Sequence, residues 1–171
     1  RDVDIATAGA DAIPSLTSFD RVIVLMPSLD GLGTHLSDIM SWVSAGGSLM
    51  LAMPPDNSSY LQVIASKLGI ESAGYDYVKA ESIVPSEDFM LGGGERYELS
   101  DPFDSSLSVS LRETARVWAM TGDAGAPLIW SNDCGSGRTV VCNIGIYDKV
   151  MRGFYAAAIK SFRPPFEKGG G

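Results

Sequence analysis

A cysteine beside a glycine-rich turn is the most obvious candidate for covalent chemistry in this chain. Cys134 stands directly before Gly135-Ser136-Gly137. A Cys or Ser nucleophile of the elbow type sits on a sharp turn that leads from a strand into a helix. Here the apolar segments 127–131 and 138–144 flank the turn and read as strands. The pattern therefore predicts that Cys134 is a turn residue of a hairpin, and no catalytic residue is assigned.

His35 is the only histidine, so any Cys-His or Ser-His-Asp arrangement would have to use it. It stands in the first turn of a predicted helix, where a polar or half-buried surface residue is the usual explanation. One histidine and two cysteines are also too few for a zinc site of common composition. We expect neither a metal nor a cofactor in this chain.

The glycines do not form a nucleotide-binding motif. Gly31 and Gly33, the run at 92–94 and the turn at 135–137 match neither the phosphate-binding loop that ends in Gly-Lys-Ser/Thr nor the dinucleotide fingerprint. Turns and helix ends account for each of them.

Polar residues follow two predicted buried strands, where open α/β sheets bind their ligands. Ser28 and Asp30 come after the first strand, and Asp56 comes after the second. These three residues are the candidate ligand cleft, and helix capping or turn formation is the alternative explanation. Trp42, Trp118 and Trp130 could also stack on a sugar, but burial is an equally good explanation for those in strands.

The segments that must position these residues alternate between strand and helix. Residues 21–26 and 48–53 are continuous apolar runs, typical of strands covered on both faces. Each is followed by apolar residues at helical spacing, ending at Gly46-Gly47 and at Gly69. Residues 3–5 are a weaker strand candidate. This rhythm predicts an α/β fold.

The second half of the chain does not continue the alternation of strand and helix. Residues 71–106 lack a sustained period and are predicted to be an irregular or edge-strand excursion. Four short strand patterns follow and predict an antiparallel extension of the sheet, at 107–111, 116–120, 127–131 and 138–144. A last helix is predicted from about Asp148 to Phe162, with a wide apolar stripe, before Pro164-Pro165.

Composition excludes several classes of partner. The chain has 171 residues, 45% of them apolar, and a formal net charge of −8. Such an acidic chain is a poor match for nucleic acid or for an anionic membrane surface. No window approaches the roughly 20 apolar residues of a membrane-spanning helix. The two cysteines are expected to be too far apart in the hairpin to pair.

The ends of the sequence suggest an excised piece of a longer protein, since the chain starts at Arg1 without a leader and ends in a glycine run. We therefore expect one α/β domain at 1–165 and a linker or appended tail at 166–171.

Several short motifs, taken in order, resemble a known superfamily. They are FDRVIVL at 19–25, WVSAGGSLML at 42–51, APLIW at 126–130, GSGRTVVCN at 135–143 and RG at 152–153. Together they are similar to the class I glutamine amidotransferase-like superfamily, and within it to the domain of unknown function DUF2194. The resemblance covers almost the whole chain and contains no catalytic signature.

The resemblance implies a three-layer, flavodoxin-like or glutamine amidotransferase-like fold, in which a mostly parallel sheet carries helices on both faces and an antiparallel extension. It also implies a place upstream of a polysaccharide deacetylase domain, in an extracytoplasmic or membrane-attached protein. The amidotransferase Cys-His-Glu set has no counterpart here. The Asp and two His of the deacetylase metal site cannot be supplied by a chain with one histidine.

The leading hypothesis is a non-catalytic accessory domain that contributes scaffold, substrate positioning or partner docking, with polysaccharide or a deacetylase domain as partner. One alternative is a carbohydrate-active enzyme with an unfamiliar carboxylate site built from Asp30, Asp56 and either Glu81 or Asp88. The other is a pure protein-interaction module that uses an exposed apolar patch.

Overall fold

A computed structural model describes residues 6–25, 28–52, 58–87, 89, 95–144 and 149–161. The strand candidate at 3–5, the ligand candidate Asp56, the glycine run at 92–94 and the tail at 166–171 lie outside these residues.

The described residues form seven strands and three α-helices. Their bounds are β1 Arg21–Leu25, α1 His35–Ser44, β2 Ser48–Ala52, α2 Ser59–Ile64, β3 Ile70–Pro85, β4 Tyr97–Leu111, β5 Arg116–Thr121, β6 Pro127–Cys134, β7 Gly137–Cys142 and α3 Lys149–Ser161. Short 3₁₀ turns precede β1, precede α1 and follow α2, at Leu16–Ser18, Leu29–Leu32 and Ala65–Leu68.

All seven strands belong to one mixed sheet with the order β1-β2-β7-β6-β5-β3-β4. The pairs β1–β2 and β2–β7 are parallel. The pairs β7–β6, β6–β5, β5–β3 and β3–β4 are antiparallel. The predicted α/β fold with parallel strands and an antiparallel extension is confirmed. The parallel strands β1, β2 and β7 lie at one side of the sheet, and the extension is longer than expected.

The centre of the sheet is buried on both faces. Side chains of β2 alternate between the faces: Leu49 and Leu51 pack with α1 and α2, whereas Met50 and Ala52 pack with α3. Both faces of β2 carry apolar side chains, and every residue of the strand is buried. Helices therefore lie on both faces, which explains the continuous apolar run at 48–53. The same prediction for the run at 21–26 is wrong for its described residues, because β1 is an edge strand in which only Val24 is buried.

The predicted irregular excursion at 71–106 is wrong in part. Its described residues belong mainly to β3 and β4, which form a long antiparallel hairpin with β4 at the sheet edge. The register of the pair shifts at four places. Each shift moves side chains relative to the pleat, so the two-residue period that would identify a strand is lost.

The same hairpin contributes to both cores. Ile70 and Leu107 pack with α1 and α2, whereas Ala80, Ile83 and Leu99 pack with α3. The side chain of Asn143 holds the hairpin beside the end of β7, because it accepts from the Leu107 amide at 3.0 Å and donates to the Leu107 carbonyl at 2.7 Å.

The predicted end of the second helical segment at Gly69 is found, and its start is capped. Ser58 caps α2 by accepting a hydrogen bond from the Leu61 amide at 3.3 Å. Gly69 ends the 3₁₀ turn that follows, with a φ of 74° in the left-handed region that favours glycine. Side chains of β6 and β7 satisfy the free carbonyls there: Trp130 donates to Leu68, and Asn132 and Thr139 donate to Lys67.

The Gly135-Ser136-Gly137 turn is packed against the C-terminal end of α1. The Ser136 amide donates to the Ser44 carbonyl at 3.0 Å, and the Arg138 amide donates to the Gly47 carbonyl at 3.2 Å. A Cβ at position 137 would overlap the carbonyl oxygens of Val43 and Gly47. This close approach of two backbones explains the glycines of the turn without a catalytic role.

The Gly137→Ala substitution should lower the free energy of unfolding by about 3 kcal/mol, because the backbone carbonyls that the methyl group meets cannot move aside. The control is Gly153→Ala in α3, where a Cβ meets nothing within 4 Å. That variant should raise the free energy of unfolding by about 0.5–1 kcal/mol. Urea denaturation of the two variants measures both effects, and equal midpoints would contradict the packing described here.

Candidate functional site

The strand-end loop after β1 contains two of the three predicted cleft residues. The Ser28 hydroxyl accepts a hydrogen bond from the Asp30 amide at 3.2 Å and caps the 3₁₀ turn Leu29–Leu32. Asp30 is exposed. Ser28 therefore has the capping role that was the alternative explanation, while Asp56, the third residue, lies outside the described part of the chain.

Neither cysteine is placed for nucleophilic catalysis. Cys134 ends β6 at the hairpin turn, is buried, and lies 3.5 Å from the Ser44 hydroxyl. Cys142 is fully buried in β7, and this burial raises the pKa of its thiol far above the usual value. Both cysteines are free thiols, as predicted.

Two of the three tryptophans are core residues. Trp130 is completely buried, and its indole donates to the Leu68 carbonyl at 2.8 Å. Trp118 is nearly buried and stacks on Phe89 with ring centroids 5.7 Å apart. Neither presents a free face to a sugar, so burial is the correct explanation for both.

The third tryptophan lines a pocket on the outer side of α1. The pocket has a volume of about 260 Å³ and is lined by residues 13–17 and by His35, Asp38, Ile39 and Trp42. Three of these helix residues, at 35, 38 and 42, are spaced by three and four positions and therefore share one face of α1. The buried Ile39 lies between them.

The polar groups of this pocket are available to a ligand. Within the described residues, neither His35 nor Asp38 has a hydrogen-bond or ion-pair partner. On the opposite wall, the Ser15 and Thr17 hydroxyls lie 2.9 Å apart and hydrogen-bond to each other. We call this set of residues, 13–17 with His35, Asp38, Ile39 and Trp42, the α1 pocket.

Sequence reasoning considered His35 and Trp42 separately and did not identify Asp38, Ser15 or Thr17. The helical spacing of His35, Asp38 and Trp42 could have grouped these three residues. Nothing in the spacing of the sequence brings 13–17 beside them, because that contact depends on the path of the chain before β1.

The alternative hypothesis of a carbohydrate-active enzyme depends on the positions of four carboxylates. Glu81 is exposed on β3 and pairs with Lys79 at 2.6 Å, while Asp88 and Asp56 lie outside the described residues. Among the described residues, no group of three or more His, Cys, Asp or Glu side chains could hold a metal ion.

A second surface feature is the uncovered face of β1. Val22 and Val24 pack toward α1, so Ile23 and Leu25 point to the opposite face. There α3 packs over β2 and β7, and Ile23 and Leu25 remain 40% and 62% exposed. A groove of about 460 Å³ follows this strand. Besides 21–25 and 6–10 it is lined by Phe19, Leu32 and four residues that also line the α1 pocket, so it extends to the α1 side of β1; the shared residues are Ile13, Pro14, Leu16 and Ile39.

The sequence matches the family described as "Uncharacterised protein conserved in bacteria (DUF2194)" over residues 2–111, more than half of the chain. The chain belongs to the DUF2194 family. The predicted family is therefore confirmed. Among curated proteins, none matches this DUF2194 chain.

Solved structures with the same fold include parts of two glycosidases. An exo-β-1,4-mannosidase, Op5Man5, from Opitutaceae bacterium strain TAV5 is 19% identical, with 92% of this chain and 28% of that chain covered and a TM-score of 0.57. A β-galactosidase from Rahnella sp. R3 is 21% identical, with coverages of 94% and 26% and a TM-score of 0.60. The DUF2194 chain thus spans about a quarter of each glycosidase.

A third similar structure is a smaller protein. The cytoplasmic protein STM1381 from Salmonella typhimurium LT2 is 13% identical, with 91% of this chain and 75% of that chain covered and a TM-score of 0.67. At these identities the likeness establishes the fold alone. Separately, the described helices include none with the length and hydropathy needed to span a bilayer.

Because the Cys142 thiol is buried and its pKa is raised, it should resist alkylation in the folded DUF2194 chain. With iodoacetamide at pH 8, we expect Cys142 to be modified at least about a hundredfold more slowly in buffer than in 6 M guanidinium chloride, since reaction requires opening of the core. Peptide mass spectrometry measures both rates. Equal rates would contradict the placement of Cys142 in the sheet.

Proposed function

We propose that this chain is an accessory domain of a larger polysaccharide-modifying protein, without a catalytic site of its own. Its function is to dock against a neighbouring catalytic domain and to hold that domain and its substrate in place. The single observation that carries the proposal is the uncovered apolar face of β1, formed by Ile23 and Leu25.

The exposed side chains of this face lie next to one of the two hydrophobic cores. Ile23 and Leu25 extend the layer in which α3 covers Met50, Val140 and Cys142, but their own side chains are exposed. Burying two such side chains against a partner would contribute about 2–3 kcal/mol from their exposed area. The groove that runs along β1 and extends to Leu32 and Ile39 gives the partner a concave surface to enter. An apolar face beside a concave edge favours docking of another protein surface.

The comparisons support a setting within a longer polypeptide. In the mannosidase and the β-galactosidase, this fold accounts for 28% and 26% of a chain that acts on a carbohydrate. In each of these two enzymes, about three quarters of the chain lie outside the region that matches this fold. We therefore propose a similar arrangement here, in which the partner of β1 is another domain of the same protein.

The family resemblance supports the finer parts of the proposal. The short motifs at 42–51 and 135–143 are similar to those of the class I glutamine amidotransferase-like superfamily, and helices on both faces of β2 suit its flavodoxin-like arrangement. Within that setting, the neighbouring domain is proposed to be a polysaccharide deacetylase, and the protein is proposed to work outside the cytoplasm. The position of Cys134 in a hairpin, away from a strand-to-helix turn, supports the non-catalytic assignment.

The docking face can be tested with one matched pair of substitutions. Leu25→Lys places a charge on the proposed face, and Val63→Lys places the same charge on α2, where Val63 is 77% exposed. In the longer protein, the domain should unfold at a higher temperature than the isolated chain, because docking stabilises the folded state. Leu25→Lys should remove most of this gain, and Val63→Lys should keep it. Differential scanning calorimetry measures the four melting temperatures.

Two outcomes would contradict docking through β1. One is an equal melting temperature for the isolated chain and for the same domain in the longer protein. The other is an equal response to Leu25→Lys and Val63→Lys. Lysine is common on edge strands, so the isolated Leu25→Lys chain should retain its own melting temperature within about 2 °C. That measurement separates loss of docking from loss of folding.

A further inference from the structure

We propose that the α1 pocket binds one hexose unit of a glycan, and that it prefers a unit with a free amine. This inference goes beyond the docking role, because His35, Asp38 and Trp42 line the α1 pocket and do not line the groove along β1. The helix that carries them packs on the side of the sheet opposite to the exposed side chains of Ile23 and Leu25.

The pocket contains an aromatic surface that is held in place. Trp42 lines the pocket, and its indole rests directly on Gly47, where a Cβ would overlap the ring. The absence of a side chain at position 47 therefore leaves room for the ring. An indole combines a flat apolar face with an N–H donor at its edge. A pyranose has the same two parts, an apolar C–H face and a rim of hydroxyl groups.

Hydrogen-bonding groups line the same pocket as this ring. His35 and Asp38 lie on the same face of the helix as Trp42, and neither has a partner within the described residues. Ser15 and Thr17 supply two hydroxyl groups on the facing segment. A hydroxyl group can both donate and accept, so this set can exchange hydrogen bonds with a ring of sugar hydroxyls.

Size limits the ligand. The volume of about 260 Å³ is below the roughly 300–1,000 Å³ of pockets that enclose drug-sized molecules. One sugar ring suits this volume, and the pocket is open, so the neighbouring units of a glycan can continue into solvent.

Charge selects among sugars. Asp38 is the one carboxylate in the wall of the α1 pocket, and the chain as a whole carries a formal net charge of −8. An ammonium group on the sugar would form a charge-assisted hydrogen bond with the Asp38 carboxylate. A uronic acid would be repelled by the same group. We therefore expect the order glucosamine, then N-acetylglucosamine, then a uronic acid.

The test is a heteronuclear NMR titration of the full chain with three soluble trimers, made of glucosamine, N-acetylglucosamine and galacturonic acid. Glucosamine trimer should shift the amide signals of residues 15–17 and 35–42, with tighter binding than N-acetylglucosamine trimer. Galacturonic acid trimer should cause no shift there at the same concentration.

The Asp38→Asn variant should bind the glucosamine trimer about tenfold more weakly, because a charge-assisted hydrogen bond becomes a neutral one. Its affinity for the N-acetylglucosamine trimer should change less than about twofold. The matched control is Glu113→Gln, which removes an exposed carboxylate in the turn between β4 and β5 and should change neither affinity. Both substitutions are at exposed residues and leave the core intact.

Three results would overturn the proposal: no shifts with any trimer at millimolar concentration, shifts confined to residues outside the α1 pocket, or equal weakening by Asp38→Asn and Glu113→Gln. Leu25→Lys, the docking variant, should bind all three trimers as the unchanged chain does. A failure of docking and a failure of sugar binding are therefore distinguishable.

Discussion

The burial of β2 and β7 on both faces is the constraint on which the rest of the fold depends. Every residue of β2 is buried, and both cores of the domain meet its two faces. Apolar surface on two faces requires cover on two faces, so α1 and α2 pack on one and α3 packs on the other. The single helix α3 covers β2 and β7 but leaves Ile23 and Leu25 of β1 exposed. The candidate docking face therefore arises because α3 covers β2 and β7 and leaves the neighbouring side chains of β1 exposed.

A second consequence concerns α1. The turn that joins β6 to β7 meets its C-terminal end, where the Ser136 amide donates to the Ser44 carbonyl. Because β7 pairs directly with β2, this contact ties the helix to the central strands. The helix also carries Trp42, Asp38 and His35, which line the α1 pocket with residues 13–17. The turn beside Cys134, which could have been a nucleophile motif, therefore has a packing role against the helix that lines the α1 pocket.

The site could be predicted from the sequence only where it depends on contacts between residues close together in the chain. Ser28 and Asp30 were correctly placed after a strand, since strand ends follow from apolar runs and turn residues. That the strand before them is covered on both faces was wrong, because β1 lies at the sheet edge with Ile23 and Leu25 exposed. The pairing of α1 with residues 13–17 was not predictable, because the segment before β1 has no periodic pattern and its contact is long-range. Burial of Trp118 and Trp130 was similarly undecided until the cores were known, since a strand tryptophan can face either core or solvent.

Local patterns in the sequence by themselves determined the strands β1, β2, β5, β6 and β7, the three helices, the helix end at Gly69 and the family. These features depend on the spacing of apolar residues and on the backbone preferences of neighbouring residues. Only the tertiary structure decided the insertion of β7 between β2 and β6, the long β3–β4 hairpin with its register shifts, the exposed face of β1 and the α1 pocket. The physical reason is that strand order, bulges and pockets arise from contacts between residues far apart in the chain, which no local period records.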